Sequence, residues 1–234
     1  MLVPYLNGGV GIGKTTTVND ARHKIAKQRG VEMGFTQVYL AEYPPEEVAG
    51  WCMPNENKDA MERLAPDWLP KEGTYGILFF DEFAQAITAM QNVASRILNE
   101  HAIGQHKIPD TWAIVAAGNR ISDRAGTSVM PTHVRDRLAF LDVEANLEDT
   151  IAYFMEKRVN EKVCAFLRFK PEMLWKFDRD ANSFPTPRGW ERVSSVVSQN
   201  ALSPMAEREL VSGIVGLHAS TDFYAFLAVY DEVP

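Results

Sequence analysis

An α/β fold, a parallel sheet sandwiched by helices and followed by a small all-helical lid subdomain, is predicted by three features of the sequence. Short apolar runs alternate with helix-forming stretches across residues 1–143, the pattern of a sheet wrapped by helices. A glycine-rich turn follows the first of those runs, at the strand end where such sheets bind their ligands. From Leu147 onward strand signals vanish and helical stretches succeed one another. The expected division is an α/β core over 1–145 and a helical subdomain over 146–234. With 46% apolar residues in a chain of 234, there is ample material for buried cores.

Leu2-Val3-Pro4-Tyr5-Leu6 reads as the first strand and 15–28 as a helix. Between them, Gly8-Gly9-Val10-Gly11-Ile12-Gly13-Lys14-Thr15 matches G-x-x-x-x-G-K-[ST], a P-loop. Glycines let the backbone form a nest whose N–H groups point at phosphate oxygens, and the helix opening at Lys14 adds its positive N-terminal end. Lys14 is expected to reach the β- and γ-phosphates of ATP, and the Thr15 hydroxyl to ligate Mg²⁺. The expected nucleotide site runs from Gly8 through Thr16, and the sheet is expected to be that of a P-loop nucleoside triphosphatase. Because the first strand starts almost at residue 1, adenine contacts are expected from elsewhere in the chain.

Thr36-Gln37-Val38-Tyr39-Leu40 has the β-branched, aromatic and alternating character of a second strand, closed by Pro44-Pro45. A short helix or loop follows over 46–51. A polar section over 55–71 is expected to contain a helical turn around 59–64. In Ile77-Leu78-Phe79-Phe80-Asp81-Glu82, four consecutive apolar residues suit a strand covered on both faces, with two carboxylates where it emerges. This is a Walker B pattern. Asp81 is placed to hold Mg²⁺, and Glu82 to orient and deprotonate the water that attacks the γ-phosphate. A hydrophobic run ending in Asp-Glu is not specific alone; downstream of a P-loop it points to nucleotide hydrolysis.

Residues 83–100 read as a helix whose Ala86, Ile87, Met90, Val93, Ala94, Ile97 and Leu98 recur at core-facing spacing. A loop or small hairpin follows over 101–110. Thr111 to Ala117 reads as another buried strand, ending at Gly118-Asn119. Asn119 then lies either beside the γ-phosphate, holding the attacking water, or in a plain turn after glycine. A polar loop and short helix over 120–137 lead to a last strand over 138–143. In the C-terminal part, helices are expected over 147–168, 171–177, 187–200, 204–218 and 221–230. Pro185 and Pro187 frame the start of the middle one, with Trp190, Val193, Val196 and Val197 facing inward.

A formal charge of −7 argues against a surface built to coat nucleic acid. No apolar run approaches the roughly 20 residues of a membrane span, and no secretory leader is evident, so a cytoplasmic protein is expected. Cys52 and Cys164 lie far apart without a C-x-x-C pattern and read as buried free thiols. His101 and His106, five apart around Gly104, are poorly spaced for metal ligation.

Taken in order, the P-loop, the Asp-Glu Walker B, the strand ending in Asn, the arginine-bearing loop and the helical lid resemble the AAA+ ATPases, more narrowly the MoxR and CobS-type, dynein-related branch. The resemblance is carried by Ala49-Gly50-Trp51, Ala116-Ala117-Gly118-Asn119, Gly126-Thr127 to Met130-Pro131, Asp136-Arg137-Leu138 and Pro185-Thr186-Pro187-Arg188-Gly189-Trp190-Glu191. It implies that Asn119 is sensor 1, Arg137 the arginine finger and Arg188 the sensor 2 arginine. Arg135 competes for the finger role, and a surface ion pair is the plainer reading of both arginines. A finger supplied by a neighbour makes hydrolysis depend on assembly, which implies a homo-oligomeric ring, in this family usually a hexamer. Trp51 reads as a buried aromatic or, by the resemblance, as a pore residue.

The resemblance implies an ATP-hydrolysing protein-remodelling or chaperone-like motor, with a von Willebrand factor A-type protein among candidate partners. The alternatives are a DNA-directed motor or loader and a nucleotide-gated binding module. Lys14, Asp81 and Glu82 together weigh against the last.

Overall fold

The computed structural model describes residues 2–123, 129–199 and 201–230. It divides into two compact units, Met1–Gly8 with Lys14–Val143, and Gly9–Gly13 with Glu144–Pro234. Among the described residues, no helix is long and apolar enough to cross a membrane.

The first unit is built on β1 (Val3–Gly8), β2 (Gly34–Tyr39), β5 (Gly76–Asp81), β8 (Trp112–Gly118) and β9 (Leu138–Val143), which pair in parallel in the order β2-β5-β8-β1-β9. β1 therefore lies inside the sheet, its end at Asn7 and Gly8 in register with Gly118 of β8 and Val143 of β9. The apolar residues of β5 split between two cores, as a strand buried on both faces requires. Leu78 and Phe80 join Val38, Ile114, Met90, Ala94 and Ile97 on the side of α3 (Thr88–Glu100). Ile77 and Phe79 join Leu6, Met33 and Val18 on the side of α1 (Lys14–Arg29). Helices thus cover both faces of the parallel sheet.

At the other end of the strands, Gly34, Gly76 and Trp112 stand in register, and the indole lies across both glycines. A Cβ on Gly76 would come within 2.6 Å of the Trp112 ring. The Trp112 Nε1–H donates to Thr74 Oγ1 at 2.9 Å, which satisfies the buried donor.

Several elements differ from expectation. The segment expected to turn helically around 59–64 instead gives β4 (Met61–Arg63), paired antiparallel with β3 (Cys52–Pro54) after the short α2 (Pro45–Val48). The hairpin is closed by side-chain and backbone bonds of Asn55 with Asp59 and Ala60, which serve better than helical bonds in so polar a stretch. Trp51 is 53% exposed and Cys52 is exposed, so neither is the buried residue expected. Residues 83–100 are not one helix: a 3₁₀ turn over Phe83–Gln85 gives way to extended Ala86 and Ile87 before α3 begins. That break turns Ile87 outward, 61% exposed, whereas Met90, Ala94, Ile97 and Leu98 are buried. The hairpin after α3 forms as β6 (Ala102–Ile103) and β7 (His106–Lys107). α4 (Thr132–Arg135) precedes β9. Gly126 and Thr127 lie outside the described residues.

The second unit is helical: α5 (Leu147–Glu156), α6 (Glu161–Phe169), α7 (Pro187–Val197), α8 (Pro204–Val215) and α9 (Leu217–Tyr230). The helix expected over 147–168 is two, because Asn160 caps a new start, its side chain accepting from the Lys162 N–H at 3.0 Å. Only a 3₁₀ turn over Pro171–Met173 forms where 171–177 was expected to be helical. The core centres on Phe166, Trp190 and Phe223, whose ring centroids lie 5.1 to 5.6 Å apart. Trp190 and Val193 are buried in it, with Val196 and Val197 at its margin.

Candidate functional site

In the first unit, side chains from α1, β2, β5 and the end of β8 converge. Lys14, only 9% exposed, donates through Nζ to the Gly8 carbonyl at 3.0 Å and to Asn119 Oδ1 at 2.8 Å. Asn119 follows Gly118, a position where a Cβ would collide with the Tyr5 hydroxyl, so glycine is what lets β8 close on β1 there. Burial pushes the Tyr5 phenol well above its ordinary pKa and keeps it neutral.

Thr15 donates through Oγ1 to Asp81 Oδ2 at 2.6 Å. Asp81 is the last residue of β5 and 7% exposed; its Oδ1 accepts the Glu82 N–H at 2.9 Å. Glu82 then turns the chain through the left-handed region, φ 51° and ψ 30°, and its side chain is exposed. Lys14, Thr15, Asp81, Glu82 and Asn119, separated by up to 105 residues in the chain, are thereby brought together. Thr16 stands half-buried in the first turn of α1. A residue that sequence reasoning missed is Gln37 on β2, whose Nε2 donates to Asp81 Oδ2 at 2.8 Å. Its signal was the alternation of Gln37 and Tyr39 with Thr36 and Val38, which puts two polar groups on one face of a strand beside the Walker B strand.

In the second unit, the loop Gly9–Gly13 packs on the segment that opens α7. Gly11 and Gly13 have φ of 72° and 94°, where glycine is favoured. The Trp175 Nε1–H donates to the Val10 carbonyl at 3.1 Å, and the Arg188 N–H to the Gly11 carbonyl at 3.2 Å. These bonds occupy carbonyls of the loop. Ile12 is half-buried. Each residue of Thr186-Pro187-Arg188-Gly189-Trp190 has a place. Thr186 caps α7 by accepting the Gly189 N–H at 2.9 Å, Pro187 starts it, and Trp190 enters the core, its Nε1–H donating to the Met173 carbonyl at 2.7 Å. Gly189 sits tightly against the Thr186 hydroxyl. Arg188 alone of the five is exposed.

Arg137 is drawn toward its own backbone: Nη1 donates to the His133 carbonyl, and Nε is buried without a partner among the described residues. Arg135 is exposed, with a 3.4 Å contact to Thr132 in the same turn.

No protein-family model matches the sequence, and no curated protein matches it. Among solved structures, the chain is similar to NtrX from Brucella abortus (16% identity, TM-score 0.44, 95% of this chain and 59% of NtrX). It is also similar to a proposed ATPase of Cytophaga hutchinsonii (15% identity, TM-score 0.43, 99% of this chain and 85% of the other). A RuvB mutant of Thermotoga maritima gives 15% identity and a TM-score of 0.44 over 97% of this chain and 62% of RuvB. The chain thus spans less than two thirds of NtrX and of RuvB.

Proposed function

We propose that this chain is a Mg²⁺-dependent ATPase of the AAA+ class and of MoxR and CobS type, which assembles into a ring and remodels another protein. In this reading 1–145 is the nucleotide-binding core and 146–234 the lid. The observation that carries the reading is the convergence of Lys14 with Asn119 and of Thr15 with Asp81 at one end of the sheet. A turn that bound nothing would have no use for a buried ammonium and a buried carboxylate on consecutive links of one network.

The residues present fit Mg²⁺. The Thr15 hydroxyl, which donates to Asp81 and keeps a lone pair, suits a hard cation that takes its other ligands from phosphate and water, with Asp81 accepting from one of those waters. Thr15 and Asp81 would hold the ion, whose charge offsets that of the phosphate oxygens. Lys14 moves its ammonium from the Gly8 carbonyl and Asn119 to the phosphates, which releases the Asn119 amide to orient water. Glu82, exposed beside Asp81, takes a proton from that water as it attacks the γ-phosphorus. The bond from the γ-phosphorus to the bridging oxygen breaks, leaving ADP and phosphate. Arg137, or Arg135, stabilises the transferring phosphoryl group from a neighbouring copy, and Arg188 answers to the same group from the lid.

The test is ATP turnover together with particle size by light scattering, with and without nucleotide. Glu82→Gln is expected to bind a fluorescent ATP analogue like the parent while turnover falls by at least roughly a hundredfold. Near-normal hydrolysis in that variant would remove Glu82 from the chemistry. Stimulation of turnover by DNA would redirect the reading to a motor on nucleic acid.

A further inference from the structure

Resting on that reading, we infer that Gln37 is a positioning residue for the metal: it fixes the Asp81 carboxylate so that one oxygen serves Thr15 and the other faces the ion's water. Two donors meet on Asp81 Oδ2, the Thr15 hydroxyl at 2.6 Å and Gln37 Nε2 at 2.8 Å. The same Gln37 Nε2 donates to the Tyr39 hydroxyl at 2.5 Å. Gln37 and Tyr39 are two residues apart on one face of β2, and Tyr39 stands in register with Asp81. Both bonds leave from Nε2, which is thus shared between the carboxylate it serves and a phenol on its own strand.

A carboxylate oxygen has two lone pairs. On Oδ2 both are engaged, by Thr15 and Gln37, whereas Oδ1 accepts the Glu82 N–H and keeps one. That asymmetry assigns the oxygens. A serine or threonine hydroxyl donates its proton to Oδ2 and still has a lone pair for a cation, so the Thr15 bond survives metal binding. Oδ1 is left to accept from a metal-bound water. Without Gln37 the buried carboxylate keeps only the Thr15 hydroxyl on Oδ2 and the Glu82 N–H on Oδ1, and the order of its two oxygens is held less firmly. The backbone has no need of this amide, because the pairing of β2 with β5 is made by main-chain groups.

The experiment titrates Mg²⁺ against binding of a fluorescent ATP analogue in the parent chain, in Gln37→Met, and in Tyr39→Phe. Affinity for the analogue in EDTA is measured for each. Gln37→Met keeps the length and the apolar stem but has no donor. Its Mg²⁺ midpoint is expected to rise by about tenfold or more, the scale on which partners of metal ligands act, while affinity in EDTA stays at the parent value. Tyr39→Phe, which removes the other anchor of the amide, is expected to shift the midpoint in the same direction by less. An unchanged Mg²⁺ midpoint in Gln37→Met with parent-like affinity in EDTA overturns the inference and leaves the ATPase reading intact. If Gln37→Met does not fold, an unchanged midpoint in Tyr39→Phe overturns it in the same way. A parent chain whose analogue binding ignores Mg²⁺ overturns both.

Discussion

Glu82 holds a left-handed backbone conformation that a side chain with a Cβ adopts at a cost of about 1–2 kcal/mol relative to glycine. Its carboxylate is exposed, so no packing explains the choice, and its N–H is spent on Asp81. Glu82→Gly is therefore expected to abolish turnover while unfolding in urea at the same or a higher concentration, with up to about 1 kcal/mol gained. A clear loss of stability would mean that the carboxylate is needed by the fold. His101 is a second left-handed residue, capping α3 through its N–H to the Ile97 carbonyl at 3.0 Å. Both ring nitrogens are buried without partners among the described residues, and burial lowers the imidazole pKa against a smaller opposing pull from Asp110. The unfolded chain takes up a proton near the ordinary value of about 6.5, before the folded chain does. The contribution is thus complete above that pH and is lost as the pH falls below it. His101→Asn, which tolerates the left-handed cap, is expected to show a shallower decline of stability between about pH 6.5 and 5 than the parent.

Among the elements, the loop Gly9–Gly13 shows how one tight approach holds a segment in place. A Cβ on Gly9 would fall on the indole of Trp175, whose Nε1–H already binds the Val10 carbonyl. Gly9→Ala is expected to cost about 1–3 kcal/mol, the range for overpacking. Combining it with Trp175→Ala should cost less than the two single changes added together, since the small side chain admits the methyl; strict additivity in denaturant titrations would show that the two do not touch. Nothing in the sequence announced Trp175, which is 165 positions from Val10 and lies in a stretch read as helical. The strands were legible because β5 and β8 are apolar on both faces and the P-loop fixed where β1 ends. The Walker B carboxylates and Asn119 were legible for the same reason: strand ends in such a sheet share one edge. Gln37 was not, because alternation alone does not say which face of β2 meets Asp81. The β3–β4 hairpin was missed because its polar residues satisfy one another locally, a choice that composition does not reveal. The break before α3 was missed because Ile87 fits the helical period yet precedes the first turn as its cap.

For the molecule as a working unit, the decisive question about the proposed hydrolysis is whether it belongs to one chain or to two. In the proposed reading Lys14 as cradle, Thr15 and Asp81 as metal holders and Glu82 as base lie in the first unit, and the arginines assigned to the phosphoryl group, Arg137 and Arg135, donate to His133 and Thr132. A transferring phosphoryl group without a cation beyond Lys14 and the metal reacts slowly, and an added arginine is worth on the order of 10³–10⁵ in rate. Arg137 has to release the His133 carbonyl before it reaches any phosphate; Arg135 breaks only a long contact with Thr132. Subunits carrying Glu82→Gln have no base but intact arginines, and subunits carrying Arg137→Ala have the reverse. If the cation acts across a subunit boundary, mixing two inactive populations places an intact base against an intact arginine at some interfaces. Turnover is then expected to pass through a maximum at intermediate mixing ratios, measured as phosphate release at constant total protein. The same series with Arg135→Ala identifies which arginine acts, because only the one that works in trans is complemented. Activity that stays at the sum of the separate variants at every ratio, for both arginines, would mean that each chain hydrolyses alone.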